Sequence, residues 1–83
     1  MKNAQVLRIR AQAEEILCQI DEKCSIHDFR VVNGSGQINL IFDMVVPFEY
    51  KEDKKAELVR TFNEKIREVD QRYLCVITME YSY

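Results

Sequence analysis

Two periodicities divide the chain. From Asn3 to about Glu22, Val6, Ile9, Ala13, Ile16 and Ile20 recur at helical steps, and Leu17 widens the stripe. Arg8, Arg10, Gln12, Glu14, Glu15 and Gln19 occupy the remaining positions, and Asn3 is a residue type suited to cap the helix start. The pattern then changes to runs of Val, Ile and Phe over Ser25 to Val32 and Gln37 to Val46, which suit strands. Asn33-Gly34-Ser35-Gly36 links them, with two glycines able to take positive φ, so a hairpin is predicted. Pro47 closes the second strand because it has no N–H to donate. After a connector over Phe48 to Lys51, helical spacing returns from Glu52 to Asp70. Leu58, Val59, Phe62, Ile66 and Val69 form its apolar stripe. Glu52 and Asp53 sit at its start, where the helix dipole favours acids. A third strand runs from Tyr73 to about Tyr81.

The predicted order is therefore α-β-β-α-β. A helical crossover returns the last strand parallel to the second. The fold class is α+β, a ferredoxin-like two-layer sandwich with a three-stranded sheet, and residues 1–83 form one domain. The second strand is apolar on both faces. Ile38, Leu40, Phe42 and Met44 lie on one side, while Ile41 and Val45 share the other with Asn39 and Asp43. One helix layer covers one face of a small sheet. The other face is expected to meet a second copy, which makes the chain a homodimer.

Composition narrows the classes of function. The chain has 83 residues and a formal net charge of −2, and its pI is about 5.4. Its cations are interleaved with acids, so it has no clustered basic face for nucleic acid. No stretch approaches the ~18 apolar residues of a membrane helix, and Met1 to Arg10 lacks the apolar core of a signal peptide. A soluble chain is expected. Three cysteines, Cys18, Cys24 and Cys75, follow no framework spacing and read as reduced thiols of a cytosolic setting.

The candidate chemistry starts at the only histidine, His27. It is the side chain best suited to titrate near neutral pH or to ligate a transition metal. Asp43 lies inside the apolar run Leu40 to Val46, where a carboxylate is costly unless exposed, paired or metal-bound. The two stand symmetrically about the turn, which predicts opposed positions with Cβ atoms about 5 Å apart. Shared metal ligation and a His–Asp ion pair both satisfy that placement. His27, Phe29 and Val31 are expected on one strand face, with Asp28 and Arg30 on the other. Glu80, near the end of the last strand, is within expected reach of the same end of the hairpin. Cys24-Ser25-Ile26-His27 has the form of a C-x-x-H half-site, but no second half-site has zinc-finger spacing. Cys18 and Cys75 read as small core residues. No nucleophile, base and orienting group form a set, so an enzyme is not expected.

Ile26-His27-Asp28-Phe29-Arg30-Val31-Val32 and Asn39-Leu40-Ile41-Phe42-Asp43-Met44-Val45-Val46-Pro47 resemble the cytoplasmic C-terminal domain of cation diffusion facilitator transporters, also called cation efflux proteins. The similarity extends to Asp70-Gln71-Arg72-Tyr73 and to Ile77-Thr78-Met79-Glu80-Tyr81-Ser82-Tyr83. The resemblance implies a metallochaperone-like α-β-β-α-β fold that dimerises at the cytoplasmic face of the cell membrane, beneath a membrane-spanning transporter domain. It also implies a divalent cation, often zinc, bound at or near the dimer interface. By position, His27 matches the first-strand histidine ligand. Asp43 stands where many members have a second-strand histidine and one branch has aspartate. Glu80 lies near the final acidic ligand position. Met79 stands where many members have a further histidine. One imidazole with two carboxylates is a weaker, less zinc-selective set, equally open to manganese or iron.

Two functions of different class follow as expectations. One is a regulatory and dimerisation domain of a divalent cation efflux transporter. The other is a ferredoxin-like protein-association module with no metal site, in which His27 and Asp43 are a structural pair. A small-molecule regulatory domain is less favoured, since no glycine-marked ligand turn joins a strand to a helix.

Overall fold

The computed structural model describes residues 2–82, with side chains from Ala4. Five elements follow one another: α1 (Lys2–Ile20), β1 (Ser25–Asn33), β2 (Ile38–Pro47), α2 (Glu52–Val69) and β3 (Tyr73–Ser82). The sheet is three-stranded in the order β1-β2-β3. β1 runs antiparallel to β2, and β3 runs parallel to it. The predicted α-β-β-α-β sandwich is the observed fold.

Both helices cover one face of the sheet. Ile9, Ala13 and Leu17 of α1 and Leu58, Phe62 and Ile66 of α2 meet Ile26, Leu40, Phe42, Met44, Val46 and Tyr73 in one buried core. Phe42 is central to it. Its ring stacks on Phe29 with centroids 5.7 Å apart and meets Phe62 edge-on at 5.6 Å. Alternate β2 side chains, Asn39, Ile41, Asp43 and Val45, point away from this core and are only partly covered. β3 continues that uncovered face with Leu74 and Val76, which are 43% and 48% exposed.

Several boundaries differ from the sequence expectation. α1 already includes Lys2, so the proposed Asn3 cap is inside the helix, and the Asn3 side chain lies outside the described residues. α1 stops at Ile20, because Asp21 turns the chain. The Asp21 N–H donates to the Leu17 carbonyl, while its own carbonyl accepts from the Cys24 N–H. Its carboxylate accepts a 2.6 Å bond from the Tyr50 hydroxyl, which fastens the connector before α2 to the end of α1. α2 ends one residue early, at Val69, and Val69 is 46% exposed rather than buried. Lys55 instead completes the buried stripe at 7% exposure. Its aliphatic stem packs inward while the ammonium donates to Tyr81 Oη at 2.6 Å and Glu52 Oε2 at 2.9 Å.

Pro47 is the last residue of β2 rather than the first beyond it. The N–H groups of Ile38 and Phe48 donate to the carbonyls of Arg72, just before β3, and of Ser82, at its end. By alternation, position 47 faces the β1 side. β1 first pairs at Ser25 opposite Val45, so no donor is missed there. In the hairpin turn, only Gly36 takes positive φ, at 77°. Gly34 is held by the bond from its N–H to the Gln37 carbonyl at 2.8 Å.

A candidate metal centre on the open sheet face

β1 is not a regular strand. Counting from the turn, Asn33 pairs with Ile38, Val32 with Asn39, Val31 with Leu40 and Arg30 with Ile41. A regular ladder would continue with Asp28 opposite Asp43. Instead the register shifts between His27 and Arg30, and His27 stands opposite Asp43. Two residues, Asp28 and Phe29, fill the place of one, which is a β-bulge. Asp28 carries the strain, with φ at 54°, in the left-handed region that aspartate tolerates better than most residues.

The bulge confirms one expectation and overturns two. His27 and Asp43 do oppose each other, but the turn is centred between Ser35 and Gly36, so symmetry alone would not have paired them. His27 does not share a face with Phe29 and Val31. Those two pack against the core, and His27 is exposed on the open face. Arg30, expected opposite to His27, lies on the same face, across from Ile41. A period-two reading of β1 could not detect the extra residue. The signal for it was the switch of alternation between Ile26 and Phe29, both of which meet the core.

β3 brings the third candidate. Glu80 pairs with Val45, and Thr78 with Asp43, so Glu80 lies one step along from Asp43 on the open face. Its carboxyl is held above the usual range, first by the negative charge of Asp43, then by burial and a hydrogen bond with Asp43. Asp28 adds to that upward push, and His27 opposes it. His27, Asp43 and Glu80 therefore share one electrostatic neighbourhood, joined by Asp28. An open cleft beside them is lined by Asp28, Phe29, Arg30 and Asp43. Among the described residues, no three His, Cys, Asp or Glu side chains converge closely enough to hold an ion within one chain.

The cysteines do not join this centre. Cys24 is buried in the core, away from the face that His27 occupies, so the C-x-x-H half-site does not form. Burial, with Asp21 adding to it, pushes its thiol up to about 11. Burial likewise pushes Cys75 up to about 12. Both are protonated and unreactive at neutral pH. Cys18 is exposed on α1 rather than buried as expected.

Known structures share this architecture. A structure of the candidate zinc transporter CzrB superposes with a TM-score of 0.81, at 19% identity, over 96% of this chain and 95% of its own. The zinc form of CzrB superposes at 0.85, with 18% identity, over 99% of this chain and 90% of its own. The chain has the CzrB fold. The magnetosome protein MamB CTD of Desulfamplus magnetovallimortis BW-1 has it as well, at a TM-score of 0.77 and 12% identity over 92% of this chain and 95% of its own. This chain builds its sheet from three strands, and the bulged strand β1 lies at one edge. No protein-family model and no curated protein sequence matches the chain. No helix among the described residues is long and apolar enough to cross a membrane.

Proposed function

We propose that the chain is a cytoplasmic regulatory and dimerisation domain of a divalent cation efflux transporter, with a weak cation site at His27, Asp43 and Glu80. The observation that carries the reading is the bulge-set pairing of His27 with Asp43, with Glu80 alongside, on a sheet face that this chain leaves uncovered. The fold shared with CzrB supports it, as do the sequence runs that resemble cation diffusion facilitators.

The donor set fits a cation. Glu80 and Asp43 crowd two carboxylates together, and a divalent ion would relieve the repulsion that raises Glu80. An imidazole with carboxylate oxygens suits zinc, manganese or iron. One chain supplies too few ligands, so water or a second copy must complete the shell. Ile41, Val45, Leu74 and Val76 surround the site with apolar surface that a second copy would cover. Binding and homodimerisation on this face are then linked, and affinity is modest.

The test is a calorimetric titration of zinc and of manganese into the protein and into His27→Ala, followed by sedimentation with and without the metal. The wild type should release heat and sediment at about twice the 9.9 kDa of one chain. His27→Ala should lose most of the heat. The signal should fade in acid, as protons compete with the metal for its ligands. Equal heats from both proteins, or none from either, would favour His27 and Asp43 as a structural pair, and no heat from either would favour the second reading, an association module with no metal site.

A further inference from the structure

The hairpin turn holds a reactive pair that the candidate metal centre does not use. Asn33 is the one asparagine followed by glycine, since Asn3, Asn39 and Asn63 precede Ala4, Leu40 and Glu64. The amide carbon of an asparagine side chain, Cγ, can be attacked by the next main-chain nitrogen to close a five-membered ring. A Cβ on that next residue crowds the nitrogen, and glycine has none. Asn33 and Gly34 are both exposed, and the Asn33 carboxamide has no hydrogen-bond partner among the described residues. Asn39, by contrast, lies inside β2 and accepts a 3.1 Å bond from Gln37 Nε2. Asn3 and Asn63 lie in helices. The folded turn also restrains Asn33. It is the last residue of β1 and pairs with Ile38, while the Gly34 N–H donates to the Gln37 carbonyl at 2.8 Å. An extended Asn33 does not bring Cγ onto the Gly34 nitrogen, and a bonded N–H keeps its proton.

We infer that Asn33-Gly34 is a self-modification site, which passes through a cyclic imide to isoaspartate and aspartate whenever the turn opens. The Gly34 nitrogen bonds to Asn33 Cγ, and the Cγ–Nδ2 bond breaks. Nδ2 leaves as ammonia and carries away the Gly34 amide proton. Water, the one co-reactant, then opens the imide. Breaking the bond from nitrogen to Cγ gives aspartate. Breaking the bond from nitrogen to the main-chain carbonyl carbon gives isoaspartate, whose chain runs through the former side chain. Opening the turn gives up the Asn33–Ile38 pairing and the Gly34–Gln37 bond, both at an exposed hairpin end, where local opening costs least. The product also has a place to sit. Asn33 and Arg72 line one notch beside the turn, so the new carboxylate meets a guanidinium that otherwise holds only Asp70. Isoaspartate lengthens the main chain by a single carbon and undoes the Asn33–Ile38 step. His27 and Asp43 stand beyond the Val32, Val31 and Arg30 pairings and the bulge, so the site is independent of the proposed cation centre.

The test is to age the whole chain in warm neutral buffer, folded and unfolded in guanidinium chloride, and to follow its peptides by mass spectrometry. The peptide holding Asn33 should gain about 1 Da, as an amide becomes a carboxyl, and should become a substrate for methylation by an isoaspartyl methyltransferase. The aged protein should run as a more acidic species on anion exchange. The folded chain should react about tenfold more slowly than the unfolded one, because the turn must open first. Asn33→Gln should show neither the mass gain nor the methylation. Gly34→Ala should lag behind the wild type in both states. It is a fair control, because Gly34 does not take positive φ, and the nearest neighbours of an added Cβ are the side-chain atoms Gln37 Cγ at 3.3 Å and Asn39 Nδ2 at 3.4 Å. The unfolded arm reads the chemistry of that variant whether or not it folds. Mass gain first at another asparagine, or gain without methylation, overturns the site. Equal rates in the two states, or a folded chain that stays unmodified after the unfolded one has fully reacted, overturns its control by opening of the turn.

Discussion

At the scale of the residue, Asp28 decides what the sheet presents. Its left-handed backbone absorbs one residue, so that Ile26 and Phe29 both reach the core while His27 stays outside. Asp28→Gly should leave stability unchanged or raise it, because glycine takes positive φ freely. Asp28→Val should cost about 1–2 kcal/mol, since a β-branched residue is penalised there. Urea unfolding of the two variants checks this, and equal losses would place the strain elsewhere. Sequence alone could name His27, Asp43 and Glu80 as candidates, since each is an ionisable group in a strand. It could not give their faces beyond the bulge, because a bulge leaves no fixed residue type behind. The buried Lys55 was missed for a related reason. A lysine in a helix counts as polar in any period analysis, although its stem is apolar and Tyr81 and Glu52 satisfy its head.

At the scale of the element, the helix stripes and strand alternation were legible because burial on one side leaves a strong period. Leu58, Phe62 and Ile66 appear where the spacing puts them, fully or nearly buried. Val69 fails at the last turn, where the helix ends and no core remains to meet it. Phe42→Ala or Phe62→Ala should therefore cost about 3–5 kcal/mol, and Val69→Ala under about 1 kcal/mol. Similar losses at Val69 and Phe62 in denaturant titrations would contradict the described packing. The joint between α1 and the connector has its own signature. The Asp21 carboxylate beside it, with burial assisting, pushes Tyr50 up to about 12 from an ordinary 10. A raised pKa means the folded state keeps its proton longer than the unfolded chain. That contribution is complete below pH 10 and is lost as pH climbs toward about 12. Asp21 shows the reciprocal change. Burial pushes it up, but Tyr50, the Lys23 N–H and two lysines hold it lower overall. Thermal melts from pH 9 to 12 should fall more steeply in the wild type than in Tyr50→Phe, and parallel curves would remove the joint from the stability account.

At the scale of the whole molecule, the two layers are unequal. The helices fill one side of the sheet, and the other side holds the histidine, the carboxylates and a patch of Ile41, Val45, Leu74 and Val76. The two-sided apolarity of β2 announced this from sequence, since β2 is central and its outward residues have nowhere to hide in one chain. The edge position of β3 was not legible in the same way. Which strand lies outermost depends on the crossover of α2, and only the assembled sheet shows that β3 and not β2 is the border.

The parallel pairing of β2 with β3 also sets an order of events as the chain folds. β1 and β2 are joined by a short turn and can meet as soon as both exist. β3 meets β2 only after α2 has been made and has crossed the sheet, and such non-local pairings form slowly. Until then Phe42 and Met44 lack the neighbours that Ile77 and Met79 supply across the strand pair. A nascent chain that has reached only α2 therefore displays the inner face of its hairpin beside a half-built core. The last strand to arrive closes that core and at the same moment creates the new sheet border. A cell making this protein would see its stickiest surfaces in the interval before β3 emerges, so the speed of synthesis through α2 bears directly on how much of it aggregates.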